Sequence, residues 1–124
     1  MVHATRLIGD QGEKAVALFL GKQGYIILAS NVQWMGGEID LIAQRGDVIA
    51  FVEVKTRTQE TRFPLSGVVT PGKQRKIIKT ALRFVMQNNI RDTVLRFDVA
   101  LVMLQPGQQP DIYYISHAFT APTE

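Results

Sequence analysis

The run from Gly37 to Lys55, GEIDLIAQRGDVIAFVEVK, limits the possible folds of this chain more than any other stretch. It reads as two apolar strands joined by a tight turn, yet Asp40, Glu53 and Lys55 stand inside those strands. A carboxylate or ammonium withdrawn from water without a partner costs several kcal/mol, so sheet interiors normally exclude such residues. The residues that define the hairpin therefore also point to a site.

Gly46-Asp47 suits a two-residue hairpin turn. With that turn Arg45 pairs with Val48, and Asp40 falls opposite Glu53 with Cβ atoms about 5 Å apart. Moving the turn to Arg45-Gly46 makes the pair diagonal and leaves both carboxylates on one face. Alternation puts Glu53 and Lys55 on the face that carries Ile49 and Phe51. Two opposed carboxylates repel unless a proton or a cation lies between them, and low-dielectric surroundings strengthen the repulsion. The chain has no cysteine, which excludes disulfides, thiolate zinc sites and cysteine nucleophiles. His3 and His117 are isolated, with no ligand spacing around them. A donor set of carboxylate oxygens suits Mg²⁺ or Mn²⁺ better than Zn²⁺ or Cu²⁺. Lys55 could then contact a phosphate oxygen or an attacking water beside the ion, which is the chemistry of phosphodiester hydrolysis.

The rest of the chain supplies a frame for that hairpin. Ile8 to Gln23 repeats apolar residues at helical spacing and stops at Gly24. Tyr25 to Ser30 is rich in strand formers, and Asn31 to Gly37 reads as a less regular connection. EIDLIA and VIAFVEVK form the hairpin. Thr56 to Gly72, with Pro64, Gly67 and Pro71-Gly72, reads as a long loop. Lys73 to Asn88 is the clearest helix, with Ile77, Ile78, Ala81, Leu82 and Val85 in one stripe and Lys76, Lys79 and Arg83 opposite. Leu95 to Leu104 reads as a strand buried on both faces, and DIYYIS as a short closing strand. Helix, three strands, helix and two strands imply an α/β fold with a mixed central sheet flanked by helices. The 124 residues suit a single domain spanning 1–124. No apolar run approaches the roughly 18 residues of a membrane span and no signal-peptide pattern opens the chain, so a cytoplasmic protein is expected.

Several short motifs, taken together, resemble a known family. Asp40 followed by Glu53-Val54-Lys55 is similar to the D…ExK signature of PD-(D/E)xK nucleases. GDQGEKA (9–15), GEIDLIA (37–43), FVEVKTR (51–57), Lys73-Gln74 and RFDV (96–99) together resemble the YraN family of bacterial endonuclease-like proteins, over nearly the whole chain. The resemblance implies a restriction-endonuclease-like αβββαβ core and a similarity to archaeal Holliday junction resolvases. It implies that Asp40 and Glu53 bind the metal, that Lys55 is the catalytic lysine, and that Glu13 on the first helix is an additional acid that could complete the metal site. Ile39 replaces the proline of the superfamily name, a position that supplies no ligand.

Each of these residues also has a plainer reading. Asp40, Glu53 and Lys55 could form a structural salt-bridge cluster, Glu13 a surface charge near a helix start, and Gln74 a helix-terminal polar group rather than one aimed at the site. Asp98 has Arg96 two residues earlier on its own face, and that pairing accounts for it without a site. Five of the eleven residues from Lys73 to Arg83 are Lys or Arg, although the net charge is only +3. Lys73, Lys76, Lys79 and Arg83 could therefore contact phosphates or simply be solvated. Arg57 and Arg62 are better placed, and Trp34 could stack on a base or pack. The expectation is a Mg²⁺- or Mn²⁺-dependent nuclease acting on nucleic acid, DNA rather than RNA. Branched or junction DNA, if it is the substrate, would favour a homodimer. The alternative is a non-catalytic nucleic-acid-binding accessory protein that keeps the fold.

Overall fold

The computed structural model describes residues 2–58 and 69–121, with side chains in the first helix described from Arg6 onward. The elements are α1 (Val2–Lys22), β1 (Ile26–Trp34), β2 (Gly37–Arg45), β3 (Val48–Arg57), α2 (Pro71–Gln87), β4 (Val94–Met103) and β5 (Asp111–Phe119). The five strands lie in the order β1-β2-β3-β4-β5, antiparallel except for the parallel pair β3–β4. That is the mixed α/β sheet expected from the sequence, and the order agrees with the αβββαβ core that the resemblance implies. No described helix is long and apolar enough to cross a membrane.

The two helices cover opposite faces of the sheet. Ile77, Ile78 and Ala81 of α2 pack on Ile42, Ile49, Phe51, Phe97, Val99 and Leu101. Val16 and Leu20 of α1 pack on Leu41, Ala43, Ala50, Val52, Ala100 and Val102. Strands β3 and β4, covered on both faces, are buried along their middle residues. β1 and β5 lie at the edges and mix half-buried with exposed positions.

The β2–β3 turn is Gly46-Asp47, with Arg45 opposite Val48, the first of the two registers considered. Thr70 caps α2 by accepting the Lys73 amide, and Pro71 occupies the first turn, where its missing N–H costs nothing. Several elements run further than their sequence pattern suggests. β1 continues through Trp34 although Asn31 has φ +52°, and β5 continues to Phe119 although His117 has φ +54°. Helix α1 begins at Val2, ahead of the expected Ile8.

Two glycines set the distance between helices and sheet. A Cβ at Gly12 of α1 would collide with the Thr56 side chain of β3. One at Gly37 of β2 would meet the Thr80 hydroxyl and lie 2.7 Å from the Lys76 carbonyl oxygen of α2. Both close approaches occur beside the charged end of the hairpin. Gly37→Ala should therefore cost about 1–3 kcal/mol, because the obstacle includes helix backbone that cannot rotate away. A lowered urea midpoint with an unchanged slope is the expected reading, and an unchanged midpoint would contradict this packing.

Candidate active site

The antiparallel ladder between β2 and β3 reaches Leu41↔Val52 and stops. One further step places Asp40 across from Glu53, at the point where the two strands part. There the Asp40 carboxylate accepts the Val54 amide at 2.7 Å, so a side chain takes over from the backbone ladder. β3 stays straight because β4 pairs with it in parallel as far as Arg57↔Met103.

The fork also shifts the inside-outside alternation. Ile39 and Ile42 both pack towards α2, with Leu41 between them packing towards α1. On β1, Ala29 and Val32 likewise both face α2. Asn31 and Asp40 stand between the flanking pairs Ser30↔Leu41 and Val32↔Ile39, and the left-handed φ of Asn31 absorbs the irregularity on its strand. The Asn31 side chain hydrogen-bonds Glu13 on α1.

Asp40 and Glu53 are both buried, at 9% and 6% exposure. Burial first, and then the charge of Glu53 in hydrogen-bonding contact with it, push the Asp40 carboxyl up to about 8 against the pull of the Val54 amide. Glu53 is met from the other side by two ammonium groups. Lys73 Nζ lies 2.5 Å and Lys55 Nζ 3.4 Å from the same oxygen, Oε2. The two lysines diverge in proton affinity. Lys55 is lowered by burial and by the contact with Lys73, whereas Lys73 is raised because its contacts with Glu53 and the charge of Asp40 outweigh its own burial. Lys55 is thus the lysine that gives up its proton more readily.

Glu13 is raised by burial, opposed by its Asn31 hydrogen bond, and raised further by the charges of Asp10, Glu38 and Glu53. It reaches the pair through charge rather than contact, since among the described residues no three acid or imidazole side chains converge to enclose an ion. Gln74 lies in the first turn of α2 and donates from its side-chain amide to the Val69 carbonyl at 2.9 Å, bracing the residues just ahead of the helix. Arg57 is exposed at the end of β3 and bonds the Thr56 carbonyl. Lys76, Lys79 and Arg83 are exposed along α2. Arg62 lies outside the described residues.

Asp98 pairs with Arg96, as expected, on the opposite face. The involvement of Lys73 with Glu53 was not legible as such, because the sequence shows a helix-start lysine without the strand end it meets. The Val54 amide left no trace in sequence, and Asn31 showed only its tolerance of the left-handed region.

The donor set suits a hard divalent ion. Asp40 holds a proton because two carboxyls share one buried place, and a cation would serve there instead. Mg²⁺ commonly takes one or two carboxylates and keeps several waters, so a pair such as Asp40 and Glu53 is compatible with it. Lys73, with a side chain 41% exposed, can swing away from Glu53 into solvent.

Comparison with known proteins places these residues in a wider set. The sequence profile of the uncharacterised protein family UPF0102 matches residues 12–102. A UPF0102 protein of Trichlorobacter lovleyi is 44% identical over 116 residues, covering 93% of this chain and 91% of its own length. One of Pelobacter propionicus is 41% identical over 117 residues, covering 93% and 84%, and one of Symbiobacterium thermophilum is 40% identical over 117 residues, covering 94% and 99%. Among solved structures, Hjc, a Holliday junction resolvase of Archaeoglobus fulgidus, is similar with a TM-score of 0.43 and 15% identity, over 85% of this chain and 75% of that one. At that level the likeness bears on neither site nor substrate.

The Asp40 shift has a measurable sign. The folded chain keeps this proton up to about pH 8, whereas an ordinary aspartate releases it near 3.8, so between those limits the folded state binds more protons than the unfolded one. Stability of the metal-free protein should therefore fall as pH rises through that window. Lys55, lowered by burial from its ordinary 10.5, contributes with the opposite sign. In chelator, the melting temperature should drop by several degrees from about pH 5 to about pH 8, and Asp40→Asn should flatten the curve and melt higher than wild type at the alkaline end. A mutant that melts lower throughout would make the cluster a structural salt bridge.

Proposed function

This chain belongs to the uncharacterised protein family UPF0102, and we propose that it is a metal-dependent nuclease that hydrolyses phosphodiester bonds in DNA. The observation that carries the reading is the buried Asp40–Glu53 pair at the β2–β3 fork with Lys55, its proton affinity lowered, two residues beyond Glu53 on the same strand. A fold gains no stability by forcing two carboxyls together, and a buried pair of this kind is a frequent mark of function.

Asp40 and Glu53 would hold Mg²⁺ or Mn²⁺, which supplies Lewis acidity at the phosphate and lowers the pKa of a bound water. The chain's own groups do the rest. The Val54 amide fixes the Asp40 carboxyl against the sheet. Lys55 in its neutral form accepts a proton from the attacking water, and in its charged form donates to a phosphate oxygen. Lys73 released from Glu53 offers a second positive charge, and Glu13, held by Asn31, orients water at the margin of the site. Lys76, Lys79 and Arg83 extend the positive charge along α2 towards a nucleic-acid backbone.

One observation favours the rival, an accessory protein that binds nucleic acid without cutting it. Glu53 already has two lysines on Oε2, so an ion bound at that oxygen would compete with Lys73. A cleavage panel separates the two. Duplex, single-stranded, flapped and four-way-junction DNA, with RNA alongside, would each be incubated with Mg²⁺ or Mn²⁺. Cleavage of at least one DNA is expected, reduced about 100-fold or more by Glu53→Ala and by Lys55→Ala. Cleavage indifferent to both substitutions would belong to a contaminant, and binding without any cleavage would establish the accessory role.

A further inference from the structure

Helix α2 carries Lys73, Arg75, Lys76, Lys79 and Arg83 in seventeen residues and no acid. Its first turn meets Glu53, and its later turns meet the β1–β2 turn, where Trp34 ends β1. The guanidinium carbon of Arg83 lies 4.8 Å from the centre of the Trp34 ring. Between them opens a groove of about 680 Å³ lined by Trp34, Lys79, Leu82, Arg83, Met86 and Gln87. Its apolar groups are left in water: Leu82 is 47% and Met86 77% exposed, and Met35 in the adjoining turn is 82% exposed. Exposed apolar groups gathered in one groove, rimmed by cations, mark a binding surface.

We propose that this groove seats an unpaired nucleobase of a strand whose backbone follows α2 away from the Asp40–Glu53 site, so that the substrate carries a single-stranded segment beside the cut. The inference rests on the nucleic-acid reading above and adds the form of the nucleic acid. An aromatic ring backed by an arginine, with apolar walls and a cationic rim, is how sequence-tolerant single-strand sites hold a base. Lys73 and Arg83 are ten residues apart, about 15 Å along the helix. That spans about four nucleotides of a stacked strand at 3.4 Å each. A blunt duplex keeps its bases inside the stack and has none to offer the groove.

Charge excludes the other simple occupant. A second copy docking symmetrically through this face would set Lys79 and Arg83 against the same two cations, with no acid on the helix to relieve them. A polyanion meets the opposite condition, and an apolar floor selects one that carries flat rings.

Trp34 is the only tryptophan of the chain, so its emission reports on this groove alone. The full chain in chelator, where nothing is cut, would be titrated with a ten-nucleotide oligothymidylate, with a blunt duplex of equal phosphate content, and with polyglutamate. The oligothymidylate should quench the emission to saturation, and the duplex and polyglutamate should leave it nearly unchanged. Labelled oligothymidylate, followed by anisotropy, should bind Trp34→Ala about ten-fold more weakly and Trp34→Phe almost as well as wild type, since stacking on a ring is worth about 1–3 kcal/mol per base. No quenching by oligothymidylate would overturn the inference, and duplex cleavage in the panel above would then leave the nuclease reading standing. Quenching by polyglutamate as deep as by oligothymidylate would also overturn it, in favour of an acidic protein partner. Emission that changes with protein concentration alone would overturn it in favour of a second copy. Quenching as expected, with no cleavage of any DNA, would uphold the groove and remove the nuclease.

Discussion

Two buried carboxyls that share one place set the conditions for the rest of this structure. Asp40 and Glu53 meet where β2 and β3 separate, and each is stabilised from a different direction. Asp40 has a backbone amide and a proton, and Glu53 has two ammonium groups. The surrounding elements converge on that fork. Gly12 lets α1 approach Thr56, next to Lys55, and Gly37 lets α2 approach β2 near Asp40. The parallel partner β4 holds β3 in line after β2 has left it.

The same fold shows how a buried acid is treated when it is purely structural. Asp98 is wholly inaccessible, and its oxygens accept from the Arg96 guanidinium, the Tyr114 hydroxyl and the His117 amide. Arg96 is held in turn by the Tyr25 hydroxyl. Burial and the contact with Asp98 raise Tyr114 well above the usual phenol range, so it stays a donor. Every lone pair has a partner and the negative charge has its own arginine. Asp40, at the opposite face of the sheet, has one amide and a repelling neighbour. At Asp98 the buried acid is held entirely by donors, whereas at Asp40 a second carboxyl stands beside the single backbone donor.

The legible parts of the fold were those whose signals are local. The hairpin turn, the register of β2 on β3 and the amphipathic stripe of α2 follow from period and turn chemistry within a few residues, and they delivered Asp40, Glu53 and Lys55 as a group. The pattern failed where one left-handed residue interrupts a strand. Asn31 hid the second half of β1, and His117 hid the end of β5, because each shifts the alternation that marks a strand. Both irregularities bring a group to an acid, the Asn31 side chain to half-buried Glu13 and the His117 amide to buried Asp98. The Lys73–Glu53 contact was hidden for a different reason: it joins residues twenty positions apart, and only the packing of α2 against the sheet brings them together.

The central claim is that the carboxyl pair is kept for a divalent cation, and proton release tests it most directly. Mn²⁺ would be titrated calorimetrically into the folded protein near pH 7, in buffers of different ionisation enthalpy. One ion should bind and displace about one proton, the one held at Asp40, and Asp40→Asn should abolish both effects. No binding, or binding that releases no proton and survives Asp40→Asn, would contradict the account.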